Sequence, residues 1–362
     1  MAFITIIATF YNSERFIPKL MKSVFAQTFT DWEMVCVCDC SPGNDAVLLT
    51  KIVEKAHAGD KVRIINNPQN MGISRSKEIG IKAARGKYLT FIDGDDWLDH
   101  DALRRMAEPA IEHKVDIVVM NNYRILPLFG IKKLNSSVGV PYDQVLHKPE
   151  IDKMVLPTFF GEQGLSGVAF WAKLYRRDLG LSANFDFPSK EDVAGEDFFF
   201  NMDVFPLAQS VYFINYAGYY WRWGGLTSGS HSIEGWKPSK MIELHYRHYA
   251  KRVALMQDTG NEYLLPSLAR ETRSTLWHNL VEIATSDSGT PQARDVCKYI
   301  NELAQHEAAA DMRLINKDDE FVAAFVEGNS NRVYEICHAH YCATKNKTKL
   351  RKFFAKMISR IS

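Results

Sequence analysis

Apolar positions in the first hundred residues alternate between two rhythms. Phe3–Ala8 is a short continuous apolar run of strand type, and between Glu14 and Ala26 the residues Phe16, Ile17, Leu20, Val24 and Phe25 recur at helical spacing. Trp32–Val37, Val62–Asn66 and Tyr88–Ile92 repeat the strand signal, and Val47–Ala56 and Ser74–Ala84 repeat the helical one. This βαβαβαβ order predicts an α/β fold: a mainly parallel sheet with right-handed crossovers and helices on its faces. In such sheets ligands gather beyond the carboxyl ends of the strands. Three of those ends carry polar residues, at Thr9-Phe-Tyr-Asn-Ser-Glu14, at Asp39 and at Asp93-Gly-Asp-Asp96, and they are expected to converge on one site.

Beyond Asp116–Met120 the pattern loosens through Asn135–Pro157. A Gly- and aromatic-rich stretch, Gly164–Arg177, then precedes a helix containing Gly195-Glu-Asp-Phe-Phe-Phe-Asn-Met202. Val211–Asn215 and Tyr219–Trp223 read as late strands. From about Lys237 the chain reads helical, with long helices near Met241–Met256 and Leu264–Ala284. The expected organisation is a catalytic domain over 1–235, an all-helical region over 236–344 and a basic tail helix over 345–362.

Bulk charge narrows the partners. Forty-four basic against 43 acidic residues give a net charge of +1, so no overall field draws the chain to nucleic acid. The tail is different, with seven basic residues and no acidic one, and an apolar stripe of Leu350, Phe353, Phe354, Met357, Ile358 and Ile361. Such a helix either lies on an anionic membrane surface or packs against the other helices or a second copy of the chain. Cys36, Cys38 and Cys40 share one face of an extended strand without zinc-site spacing, which predicts buried free thiols and a reducing compartment. The first residues carry no basic leader and no apolar run nears the ~20 residues of a membrane span. The expected location is cytoplasmic, with the tail allowing peripheral contact at the inner face of the plasma membrane.

Asp93, Asp95 and Asp96 concentrate three carboxylates on one turn. Like charges so close raise one another's pKa unless a cation turns them into ligands, and a hard divalent ion shared with phosphate oxygens does so. An acidic turn capping the helix that begins near Asp99 is the alternative. Thr9, Tyr11 and Glu14 offer stacking and polar partners for a nucleotide base, and Asp39 can accept from a base N–H. Glu196 and Asp197 bring carboxylates into an aromatic setting suited to a general base whose pKa is lifted by burial. Nucleotide, metal and base together describe group transfer from a nucleotide-activated donor.

These residues resemble those of the family 2 inverting glycosyltransferases, which have the glycosyltransferase A fold. The matching stretches, in order, are Ile6-Ile-Ala-Thr-Phe-Tyr-Asn12, Ser23-Val-Phe-Ala-Gln-Thr-Phe-Thr-Asp-Trp-Glu33, Asp39-Cys-Ser-Pro42, Asn70-Met-Gly-Ile-Ser74, Ala84-Arg-Gly-Lys-Tyr88, Phe91-Ile-Asp-Gly-Asp-Asp-Trp97 and Gly195-Glu-Asp197. They cover about residues 1–230. The resemblance implies that Thr9, Tyr11 and Asp39 hold the base, usually uracil, of a UDP-sugar, with Glu14, Asn70 and Lys77 among the donor-binding residues. It implies Mn²⁺ or Mg²⁺ on Asp95 first and Asp93 second, Asp197 as catalytic base, and Arg222 meeting the diphosphate. Trp171-Ala-Lys-Leu-Tyr175, with Trp171 and Lys173, resembles an acceptor-side segment; Asp96 and Glu196 are further candidates for positioning donor or acceptor. The implied acceptor is a hydroxyl of a glycan, glycolipid or glycoprotein in surface polysaccharide synthesis. Two positions depart from the pattern: Cys38 replaces a common first aspartate, and Lys77 replaces a commoner arginine, keeping the charge without the planar fork. The rival readings are a nucleotidyltransferase, against which the glycine-free loop after the first strand counts, and a non-catalytic nucleotide-sugar or glycan-binding protein.

Overall fold

The computed structural model describes residues 2–126, 131–137, 139–160, 169–182, 196–222, 249–285, 295, 297–299, 301–302, 305, 311–312 and 318–344. They fall into two compact units, one of residues 2–156 and 169–222, the other of 157–160 and 249–344. The tail 345–362 and the helix start expected at Met241 lie outside the described residues.

The first unit opens with β1 (Ile4–Phe10), α1 (Ile17–Phe25), β2 (Trp32–Cys38), α2 (Asp45–Lys55), β3 (Val62–Asn66), α3 (Ile73–Ala83) and β4 (Tyr88–Asp93). It continues with β5 (Trp97–Leu98), α4 (Ala102–Glu112), β6 (Ile117–Leu126), β7 (Ile131–Asn135), β8 (Val145–His147), a one-turn α5 (Lys148–Glu150), β9 (Lys173–Arg176), α6 (Arg177–Ser182), α7 (Glu196–Leu207) and β10 (Ser210–Arg222). The sheet runs β3-β2-β1-β4-β9-β6-β10-β5, with β7 on β6 and β8 on β10. β1 to β4 are mutually parallel, as their apolar runs predict; all seven residues of β1 are buried, as befits a strand covered on both faces. β9 enters antiparallel between β4 and β6, making the whole sheet mixed. Ile4, Ile6, Leu20, Met34, Leu103, Met106 and Tyr219 belong to the main core between sheet and helices.

Two local expectations change. Val211–Asn215 and Tyr219–Trp223 are parts of one strand, β10, whose pairing with β6 shifts register between Ile214 and Tyr219. Bulges of this kind let a strand re-aim its side chains, and this one sets Tyr219 at the end of β4. Cys40 is not on the β2 face with Cys36 and Cys38: β2 ends at Cys38, and Cys40 is exposed with φ 54°, whereas the other two thiols are buried and free.

In the second unit, helices Tyr249–Asp258, Leu265–Thr285 and Glu320–Val326 are described. Leu276, Leu280, Phe321, Phe325, Val333 and Cys337 form its core. Asp319 caps the last of these helices, accepting from the N–H groups of Phe321 and Val322 at 3.1 and 3.2 Å. No described helix is long and apolar enough to cross a membrane.

Candidate active site

The turn after β4 is built into the sheet rather than onto its surface. Thr9 is the β1 partner of Asp93, and Gly94 lies so close that a Cβ there would stand 2.8 Å from the Thr9 carbonyl oxygen and 2.9 Å from Ser13 Oγ. Only glycine permits that approach. Asp93, Asp95 and Asp96 are all buried. Tyr219 bridges the turn: its hydroxyl accepts from the Asp93 N–H at 3.2 Å and donates to Asp96 Oδ2 at 2.7 Å. Arg222 closes it, its N–H donating to Asp96 Oδ1 at 2.7 Å and its Nε to the Asp95 carbonyl at 3.0 Å. Burial, then Asp95 and Asp93, hold the Asp96 carboxyl well above the usual carboxylate range. Asp96 is therefore a structural knot in the turn, with both oxygens engaged.

Lys77 ties the turn to α7. Its ammonium, buried on α3, lies 3.0 Å from Asp197 Oδ1, 3.2 Å from Glu196 Oε1 and 3.5 Å from Asp93 Oδ1, above the Phe170 ring at 4.4 Å. Burial works to lower the Lys77 pKa, but Asp197, Asp93 and Glu196 outweigh it and hold the ammonium above its ordinary value. Three carboxylates sharing one ammonium leave the cluster with excess negative charge. Asp197 is the most open of the three, its side chain 29% exposed against 9% for Glu196 and Asp93. Burial pushes its carboxyl up to about 7; Lys77 pulls the other way, and Glu196 and Asp93 add to the rise. Asn201 fixes the start of α7, donating to the Asp197 carbonyl at 2.7 Å while its Oδ1 accepts from Tyr175 at 2.8 Å. Phe199, Phe200 and Met202 are buried on α7, and Phe200 packs 4.4 Å from Phe170 beneath the site.

The remaining predicted residues divide. Tyr11 is 42% exposed past the end of β1. Asp39 is spent largely on local structure: Oδ1 accepts from Asn67 at 2.7 Å and the Met71 N–H at 2.8 Å, and Oδ2 from the Gly72 N–H at 2.8 Å. Gly72, with φ 86°, turns the chain so that these donors reach the carboxylate. Glu14 faces α2 instead of the turn, its Oε1 accepting from the Asn44 N–H at 2.8 Å. Asn70 is half-buried beside this turn. Trp171 stacks on Tyr219 at 4.7 Å, and Lys173 is buried, donating to the Ala169 carbonyl at 2.6 Å. Burial lowers the Lys173 amine to about 7, against the pull of Asp197.

The family described as glycosyl transferase family 2 matches residues 5–179, a span holding β1 to β4 and the acidic turn. Staphylococcus aureus TarS 1–349, solved in complex with UDP-GlcNAc, has the same fold: TM-score 0.65, 18% identity, 95% of this chain and 92% of that one. Residues 5–179 are a family 2 glycosyltransferase domain. This glycosyltransferase is 25% identical over 308 residues to glycosyltransferase GlyA of Streptococcus pneumoniae, spanning 82% of the chain but only 40% of GlyA. It is 27% identical over 308 residues to the uncharacterized glycosyltransferase EpsJ of Bacillus subtilis, spanning 84% of each. TarS, a poly(ribitol-phosphate) beta-N-acetylglucosaminyltransferase, is 29% identical over 224 residues, 61% of this chain and 35% of TarS.

The site is also held together by residues that spacing does not disclose. Lys77 joins Asp93 to Asp197, Tyr219 joins Asp93 to Asp96, and Asn67 joins Asp39 to Ser76, which it reaches at 3.0 Å. Among the described residues no group of three or more His, Cys, Asp or Glu side chains is arranged to hold a metal ion. In this turn Asp93 and Asp95 are the carboxylates that would hold an ion. That donor set suits Mg²⁺ or Mn²⁺, which take one or two carboxylates and complete their shell with phosphate oxygens and water.

Proposed function

We propose that the chain moves one sugar from a nucleotide-diphosphate donor, in the first instance a UDP-sugar, to a hydroxyl of a glycan acceptor with inversion at the anomeric carbon. The catalytic machinery lies in residues 1–235, with 236–344 as an accompanying helical region. One observation carries this reading: Lys77 holds Asp197, a partly exposed carboxylate raised to about 7, directly beside the acidic turn. TarS, bound to UDP-GlcNAc and named for GlcNAc transfer to a surface polymer, supports the choice of nucleotide and the acceptor class.

In this reading Tyr11 stacks on the base and Thr9 borders it, while Asp39 chiefly shapes the turn ahead of α3 and keeps acceptor capacity on Oδ2 for a base N–H. Asp93 and Asp95 would hold the divalent ion, which when bound supplies positive charge to the diphosphate. Arg222, anchored through its N–H and Nε, presents the rest of its guanidinium to the same phosphates. Asp197 takes the proton of the acceptor hydroxyl as its oxygen attacks the anomeric carbon. The bond from that carbon to the diphosphate breaks on the opposite face, and its electron pair leaves with the phosphate oxygen. A positioned general base contributes about 10²–10⁴-fold. Asp197→Asn should lower kcat by about that factor while UDP binding, followed by calorimetry, stays unchanged; unaltered turnover would refute the assignment of the base.

A further inference from the structure

β5, β10 and β6 carry a second feature on one face. Trp97, Tyr220 and Tyr123 are direct register partners across the three strands, and their rings stack at 5.4 and 5.6 Å. Cations decorate this stack. Lys19 Nζ, from α1, lies 3.1 Å from the Trp97 ring centroid, Lys132 Nζ, from β7, 5.0 Å from that of Tyr220, and the Arg222 guanidinium 5.1 Å from Trp97 and 4.8 Å from Phe16.

The rings cover one another's inner faces, and the cations take up much of what remains. The rings hold these cations in place, since an aromatic face fixes an ammonium or guanidinium without neutralising it. Among the described residues, Lys19, Lys132 and Arg222 form no ion pair with a carboxylate. Burial first, then Arg222 and Lys132, lower the Lys19 amine to about 8; at Arg222 burial lowers the guanidinium while Asp95 and Asp96 pull it up and Arg15 works with burial. Lys19 and Lys132, pre-positioned and outside any ion pair among the described residues, extend outward from Arg222 a row of cations complementary to a row of anions. It starts at Arg222, beside the acidic turn, and runs outward to the exposed β7, where Lys132 stands.

We propose that this row is a track for an anionic acceptor chain, a glycan or polyol polymer whose phosphodiester or carboxylate groups seat on Lys19 and Lys132 while its terminal hydroxyl reaches Asp197. The proposal rests on the sugar-transfer reading and adds the acceptor's chemical class to it.

Affinity electrophoresis of the full chain through gels containing poly(ribitol phosphate), hyaluronan or dextran tests the track, alongside Lys19→Glu/Lys132→Glu and the milder Lys19→Gln/Lys132→Gln. The expected result is retardation by at least one polyanion, weakened about tenfold or more by charge reversal and less by neutralisation, with none by dextran. Retardation in poly(ribitol phosphate) identifies phosphodiester as the recognised group, and retardation in hyaluronan identifies carboxylate. No retardation by either polyanion, retardation undiminished in both variants, or equal retardation by dextran overturns the track. So does a loss of UDP affinity in the variants matching the loss of polyanion affinity, since the cations would then serve the donor. Failure of the sugar-transfer reading shows separately, as absence of UDP binding to the unaltered chain.

Discussion

At Lys77 a single ammonium serves three carboxylates, and it opposes the burial that raises the proton affinity of Asp197. The base must be ionised to accept a proton. Because its pKa is raised to about 7, transfer should be slow below that pH, rise through it and level off above. Lys77 favours the ionised form, so Lys77→Met should move this limb of the kcat/KM profile to higher pH by about one unit or more. A limb that stays in place or moves to lower pH would show that Lys77 does not govern the base. The presence of a lysine at 77 and carboxylates at 196 and 197 is legible in the sequence, as is their family role. Their union is not, because Lys77 is 119 and 120 residues away from Glu196 and Asp197.

Among the elements, α3 shows how a candidate ligand residue becomes a structural one. Asp39, at the end of β2, accepts the N–H groups of Met71 and Gly72 ahead of the helix and so fixes where α3 begins and where it delivers Lys77. Asp39→Ala would leave these donors and the Asn67 amide without their acceptor, and should destabilise the protein by about 2–3 kcal/mol in urea titration. Asp39→Asn, which keeps one acceptor oxygen, should cost less. Equal stability of Asp39→Ala and the parent would show that the turn does not depend on the carboxylate. Gly94→Ala should cost about 1–3 kcal/mol through its clash with Thr9. The first four strands and three helices were readable because their apolar periodicity is local. β10 was read as two strands because Asn215, Tyr216, Ala217 and Gly218 interrupt its apolar pattern, whereas its register shifts relative to β6 carry it through.

For the molecule as a whole, the two compact units predict an uneven response to donor. Ligand free energy stabilises what it binds, about 2.7 kcal/mol at 100 times Kd. With UDP and Mn²⁺, hydrogen exchange should slow most in the segments around Thr9, Met71 and Asp93 and least in 318–344. Equal slowing in both regions would contradict donor binding confined to the sheet unit. Charge tells a similar story at this scale: a chain with net charge +1 concentrates carboxylates at Asp93, Asp95, Asp96, Glu196 and Asp197 and cations at Lys19, Lys132 and Arg222. The sum conceals both.

By itself, the sequence determined the strand–helix alternation, the acidic turn at the end of the fourth strand and the family, since each is written in short stretches whose spacing has a direct physical meaning. Only the tertiary structure decided which partners each carboxylate has. It ties Asp96 to Tyr219 and Arg222, commits Asp39 to α3, and joins Asp93 to Asp197 through the Lys77 ammonium. Those partnerships depend on sheet order and on bulges in one strand, which bring together residues more than a hundred positions apart and leave no trace in local spacing.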